Sequence, residues 1–148
     1  MHATSYQVSE LVFQWFTHQL HGKSELPDLF KLDSGMKITQ KHIYEDIVFR
    51  LYRKTQLEPE VLICAAVLFR KLLQHCKVTR FTLKVALCAC IMIESKLNDD
   101  RGMKLPSFAR HMGLNVDALM EAEVFVCRQL DWHIYVKGCE YQELYQQC

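Results

Sequence analysis

Apolar residues recur at intervals of three and four positions through most of this chain, which is the spacing of one face of an α-helix. No segment shows the convincing apolar–polar alternation of a β-strand. The pattern predicts seven helices, at residues 5–20, 39–56, 59–75, 80–97, 107–112, 116–129 and 139–147. We therefore expect an all-α fold, with a glycine- and proline-containing linker at residues 21–37.

Two helices in the middle of the chain are predicted to be buried on every side. Residues 61–69 and 85–93 are apolar on all helical faces, a pattern typical of helices inside a core. Each run is about nine residues long, whereas a membrane-spanning helix needs about 20, so we expect no membrane partner. The second run leads directly to Lys96, and a charge in that place must reach water or meet a carboxylate.

Capping residues mark several of the predicted helix ends. Pro59 suits the first position of a helix, where its missing N–H costs nothing. Gly113 is expected to stop the short helix before it. Asn115 is a candidate N-cap for the next helix, with Leu114 and Leu119 forming a hydrophobic staple across it.

Composition and charge argue against some classes of function. The chain has 148 residues, of which 50% are hydrophobic and 24% are charged, and its net charge is +1. This composition is ordinary for a single globular domain. A protein that holds nucleic acid irrespective of sequence carries a basic stripe, so we expect no nucleic-acid partner.

The seven cysteines form neither a disulfide framework nor a zinc ribbon, because their number is odd and no C-x-x-C pair occurs. Four lie in apolar helical segments, where cysteine packs as a small hydrophobe. This usage predicts a reducing compartment, the cytoplasm or the nucleus. No metal-ligand spacing, phosphate loop or nucleophilic triad is evident. We therefore expect no cofactor, no metal, no small-molecule substrate and no enzymatic activity.

Three segments, taken in order, resemble the cyclin box. Residues 59–72 begin with Pro-Glu, continue as an apolar run and end in Arg-Lys-Leu, which is similar to the second helix of the box. A Ser-Lys pair ending at Lys96, followed by acids at 99 and 100, is similar to the end of the third helix. Residues 113–132 resemble the fifth helix and its ending. The spacing is most similar to that of single-box, P-type (phosphate-regulating) cyclins.

The resemblance implies a domain organisation as well as a fold. It predicts a five-helix cyclin box at residues 38–136. An additional N-terminal helix and linker precede the box at residues 1–37. A short C-terminal helix follows it at residues 137–148.

The resemblance also implies a function. Cyclins of this family bind a cyclin-dependent kinase, dock on its C-helix and thereby activate it. The family lysine and glutamate that hydrogen-bond the kinase backbone map onto Lys96 and Glu123, and the first-helix arginine maps onto Arg50. Arg70 stands where the family has an aspartate, and Glu94 replaces a small residue beside the expected interface. These five residues are the predicted kinase-binding set, with Arg70 expected to turn toward solvent or Glu94 to replace the missing acid.

Two alternative functions remain open. A cyclin fold can serve as a protein-interaction scaffold or a transcription-associated module that activates no kinase. The short helix, the Gly113 turn and the longer helix also fit the helix-turn-helix pattern of DNA-binding proteins. The longer helix, however, carries Asp117, Glu121 and Glu123 and no base before Arg128, so phosphates would be repelled.

Overall fold

The computed structural model describes residues 2–21, 58–79, 82–98 and 105–147. Within these ranges the helices, numbered in chain order, are α1 (His2–His21), α2 (Pro59–Leu73), α3 (Leu83–Asn98), α4 (Leu105–Met112), α5 (Val116–Gln129) and α6 (Gly138–Gln147). The same ranges contain no strand, which confirms the predicted all-α class. The helix predicted at 39–56 and the linker before it lie outside the described residues.

Helices α2 and α3 form the centre of the molecule and pack against each other. Residues 61–69 of α2 and 85–93 of α3 are buried without interruption, as their apolar faces predict. Burial of α3 also continues through Glu94 and Ser95, which their polar side chains did not predict. Helix α5 packs against α3, and α4 packs against α5. Helices α1 and α6 both pack against α2. None of the described helices has the length and apolar character needed to cross a membrane.

The predicted capping residues occupy the ends of their helices. Pro59 is the first residue of α2. Gly113 follows α4 with a φ of +67°, a left-handed conformation that glycine adopts without steric cost. Asn115 caps α5, since its side-chain oxygen accepts hydrogen bonds from the backbone N–H groups of Asp117 at 2.8 Å and Ala118 at 3.2 Å.

A side chain of α1 hydrogen-bonds the backbone between α2 and α3. Helix α2 ends at Leu73, and α3 begins at Leu83 rather than at residue 79 or 80. Gln19 Nε2 donates to the carbonyl oxygens of Leu73 at 2.5 Å and Cys76 at 2.8 Å. Gln19 Oε1 accepts from the Val78 N–H at 2.9 Å. One glutamine therefore satisfies three backbone groups of this connection.

Candidate functional site

An ion pair joins the carboxyl end of α3 to the middle of α5. Helix α3 leaves the core at this end, where Ser95 is fully buried and Lys96 is exposed. Lys96 Nζ donates to Glu123 Oε2 at 2.9 Å. The structure therefore brings together the two residues that the sequence singled out, although they lie on different helices.

The two partners of this pair differ in their exposure to solvent. The Lys96 side chain is 48% exposed, and that of Glu123 is 11% exposed. Glu123 Oε1 is buried and has no hydrogen-bond partner among the described residues. A buried acceptor without a partner costs about 1–3 kcal/mol. The pair thus keeps accessible hydrogen-bonding capacity at its lysine end, since an ammonium group has three N–H donors, whereas the unpaired Glu123 oxygen is shielded from solvent.

Glu94 lies two residues before Lys96 and is only 1% exposed. Asn98 Nδ2 donates to its carbonyl oxygen at 2.8 Å and to its Oε2 at 3.0 Å. Its Oε1 has no partner within the described part of the chain. Burial raises the pKa of Glu94 to about 7, although the hydrogen bond from Asn98 and the charge of Lys71 both act to lower it. Glu94 is therefore partly protonated at neutral pH.

Arg70 lies apart from the Lys96–Glu123 pair. Its guanidinium stands over the ring of Trp15 in α1, 5.4 Å from the ring centroid. Its Nη1 lies 3.7 Å from Glu143 Oε1 in α6, and its side chain is 47% exposed. An aromatic face and a carboxylate thus hold Arg70 between α1 and α6. Arg50, the remaining predicted site residue, lies outside the described residues.

A second set of ion pairs joins the end of α2 to α6. Lys71 Nζ lies 3.0 Å from Glu140 Oε1 and 2.9 Å from Oε2, and the Lys137 N–H also donates to Oε1 at 3.0 Å. Burial acts to raise the pKa of Glu140, but these hydrogen bonds and the charges of Lys71 and Lys137 outweigh it, so the pKa is lowered. Both ion pairs, Lys71–Glu140 and Arg70–Glu143, line a cleft of about 250 Å³ between α1, α2 and α6.

Sequence reasoning missed several of these partners. Asn98 had a local signal, because it lies four residues after Glu94 and therefore on the same helical face. Glu140 and Glu143 gave no comparable signal toward Arg70 and Lys71, since they are distant in sequence. Whether an oxygen of Glu94 or Glu123 lacks a partner depends on how the helices pack, which cannot be read from the sequence.

Cys64 and Cys88 carry no reactive thiolate at neutral pH. Burial raises the pKa of Cys64 to about 11 and that of Cys88 to about 12. Both thiols are therefore protonated under physiological conditions, and the thiolate is the nucleophilic form. In the described ranges, no group of three His, Cys, Asp or Glu side chains is arranged to hold a metal ion.

Comparison with known proteins gave one match. The family model described as "Cyclin, N-terminal domain" matches residues 12–135. The matched range includes α2 to α5 and therefore both residues of the Lys96–Glu123 pair. Searches of curated proteins and of solved structures each returned no match.

Proposed function

The chain belongs to the cyclin family, and on this premise we propose that it is the regulatory subunit of a cyclin-dependent protein kinase. It binds the kinase beside its C-helix, and Lys96 and Glu123 are the central contacts. Glu94 lies two residues before Lys96 on α3, and the family pattern adds Arg50 to the kinase-binding residues. Within the family we propose the P-type branch, on the spacing of the sequence motifs.

The proposal is carried by the incomplete hydrogen bonding of the Lys96–Glu123 pair. The Lys96 side chain is 48% exposed, and its ammonium group has three N–H donors, one of which binds Glu123. The other donors can reach the backbone of another protein, while the largely buried carboxylate of Glu123 holds the ammonium group in position. Hydrogen bonds that involve a charged group are shorter and stronger than neutral ones, and charge complementarity also fixes the register of an interface.

The physical role of the chain is to supply a rigid surface. Helices α3 and α5 are packed against each other, so the two charges keep a fixed separation. A kinase helix that binds there is held in one position. In kinases that position completes the lysine–glutamate ion pair on which activity depends. All catalytic groups belong to the kinase.

Glu94 favours a second candidate, in which the chain binds a partner protein without activating it. A partly ionised carboxylate is buried two positions before Lys96 on α3, where the family has a small residue. This acid alters the charge beneath the expected contact with the kinase. Binding and activation must therefore be measured separately.

The test uses the purified chain with a panel of purified cyclin-dependent kinases. Calorimetry measures binding, and transfer of phosphate to a peptide measures activation. We expect K96E and E123K each to weaken binding at least about tenfold, which corresponds to about 1.4 kcal/mol. The double variant K96E/E123K restores the internal ion pair and the thermal stability, but it presents reversed charges to the kinase and does not restore binding.

The matched control is K71E/E140K, which reverses an ion pair of the same length elsewhere in the molecule and should bind as the wild type does. If the wild-type chain binds no kinase of the panel, the proposal is wrong. Binding without stimulation supports the second candidate. Binding by K96E/E123K equal to that of the wild type would exclude these two residues as contacts.

A further inference from the structure

A side-chain bridge between Glu94 and Asn98 spans the last turn of α3. Asn98 Nδ2 donates to the Glu94 carbonyl oxygen at 2.8 Å and to Glu94 Oε2 at 3.0 Å. We call these two residues the α3 clamp. Lys96 lies between them in the sequence, so the clamp holds closed the turn of helix that carries Lys96.

The α3 clamp joins a buried group to an exposed turn. Glu94 is 1% exposed, whereas Lys96 and Asn98 are exposed. Two positions correspond to about 200° around an α-helix, so Glu94 points into the core and Lys96 points away from it. The carboxyl group of Glu94 can therefore reach water only if the last turn of α3 opens. Such an opening also separates Lys96 from Glu123.

The described surroundings of Glu94 supply no opposite charge in contact with it. The ion pairs of the described residues do not include Glu94, and Glu123 of α5 is bound to Lys96. The base whose charge acts on Glu94 is Lys71 of α2, which is already bound to Glu140 at 2.9 Å. The other titratable groups that face it from α2, α3 and α5 are the thiols of Cys64, Cys90 and Cys127. Burial raises the pKa of all three thiols, so they stay neutral between pH 6 and pH 8. Such surroundings favour the neutral form of a buried carboxyl group.

We propose that the α3 clamp is a pH-sensitive lock on the position of Lys96. While Glu94 is a neutral acid, it stays in the core and the last turn of α3 stays closed. When Glu94 loses its proton to solvent, opening of the turn hydrates the carboxylate at the loss of the Asn98 hydrogen bonds. Lys96 then loses its fixed distance of 2.9 Å to Glu123. A partner that binds Lys96 is therefore bound more weakly as pH rises. The effect on a partner rests on the proposed function, but the lock itself does not.

Hydrogen exchange of the backbone N–H groups of Leu97 and Asn98 measures the opening directly. Protection is the exchange rate of an unstructured chain divided by the measured rate at the same pH, so it removes the intrinsic pH dependence of exchange. The pKa of Glu94 is about 7 in the closed turn, and an open turn returns it to the ordinary value of 4.5. We therefore expect protection to fall about tenfold between pH 6 and pH 8. E94Q should show equal protection at both pH values.

Two further variants control this experiment. E121Q removes an exposed carboxylate from α5 and should leave the tenfold fall unchanged. N98A removes the bridge, so the Leu97 N–H should lose protection at pH 6. Histidines also titrate near pH 7, and those whose side chains are described are all exposed, namely His18, His75, His111 and His133. E94Q retains them, so its profile separates their effect from that of Glu94.

Three results would overturn the inference. They are protection in the wild type that does not change with pH, an equal fall in the wild type and E94Q, and unchanged protection of the Leu97 N–H in N98A.

The kinase panel separates this inference from the proposed function. The wild-type chain should bind a kinase more weakly at pH 8 than at pH 6, by up to about tenfold, and E94Q should lack this change. If K96E weakens kinase binding but the wild type and E94Q respond equally to pH, the proposed function stands and the control of binding by the lock is wrong. If protection changes as expected but the wild-type chain binds no kinase, the lock stands and the proposed function is wrong.

Discussion

The two central helices each end in a cluster of charged residues, and the clusters differ in how completely they are paired. The α2 cluster consists of Arg70, Lys71, Glu140 and Glu143, and each base has an acid of α6 as its partner. The α3 cluster consists of Glu94, Lys96 and Glu123, and two of its buried carboxylate oxygens have no partner among the described residues. Both clusters contain an ion pair of 2.9 Å. A short ion pair therefore does not by itself mark a functional site, whereas unpartnered buried acceptors do call for an explanation.

The largest expected difference between the clusters is in the pH dependence of stability. The pKa of Glu94 is about 7 in the folded protein, against an ordinary value of 4.5. The folded protein therefore holds a proton that the unfolded chain releases, so the free energy of unfolding falls as pH rises from about 4.5 to about 7. We expect the free energy of unfolding of the wild type to fall by on the order of 1–3 kcal/mol across this range, and that of E94Q not to show this fall. Urea denaturation of both proteins at a series of pH values measures the difference.

Glu140 provides the control, because its pKa is shifted in the opposite direction. Its contribution to stability is present above its ordinary pKa and is lost as pH falls through the lowered value. E140Q should therefore change the acid side of the profile and leave the slope between pH 5 and 7 unchanged. Parallel profiles for the wild type and E94Q would contradict this account of Glu94.

Replacement of one acid in each cluster by leucine should change stability in opposite directions. E123L removes a buried oxygen that has no described partner and leaves Lys96 half exposed to water, so it should raise the free energy of unfolding by roughly 0.5–1 kcal/mol. E140L removes the hydrogen bonds from Lys71 and Lys137 and should lower it by about 1 kcal/mol. Urea denaturation of both variants at pH 8 gives the comparison. Equal losses in the two variants would show that the clusters do not differ in this way.

The smallest effect is expected at Arg70. Its ion pair with Glu143 is long and exposed, and its contact with Trp15 is also near the surface, so R70A should lower the free energy of unfolding by about 0.5 kcal/mol. The difference should shrink in 1 M salt, which screens exposed charges. Kinase binding should not change. A loss that salt does not affect would show that Arg70 stabilises the fold by packing instead.

Local signals in the sequence predicted the six described helices well. Pro59, Gly113 and Asn115 each act within a single turn, so their effects can be read from neighbouring residues. The burial of α2 and α3 could also be predicted, because both are apolar on every face. The hydrogen bonds of Gln19 to the segment after α2 could not, since Gln19 lies in a helix far away in sequence.

The site was predicted in part. The approach of Lys96 to Glu123 followed from a family resemblance and is present in the structure. The position of Arg70 could not be predicted, because its partners Trp15 and Glu143 come from opposite ends of the chain. The role of these residues in kinase binding stays a prediction. Which acceptors are left without partners depends on contacts between residues that are distant in sequence, so it could not be predicted.

The contacts of Gln19 make one backbone amide a reporter for a whole helix. The Val78 N–H donates to the Gln19 side chain, so its protection from hydrogen exchange requires α1 to be docked. Its exchange rate therefore measures the fraction of molecules from which α1 has departed, without any label on α1 itself. A ligand that displaces α1 would therefore raise the exchange rate of the Val78 N–H, even if it does not contact the segment that contains Val78.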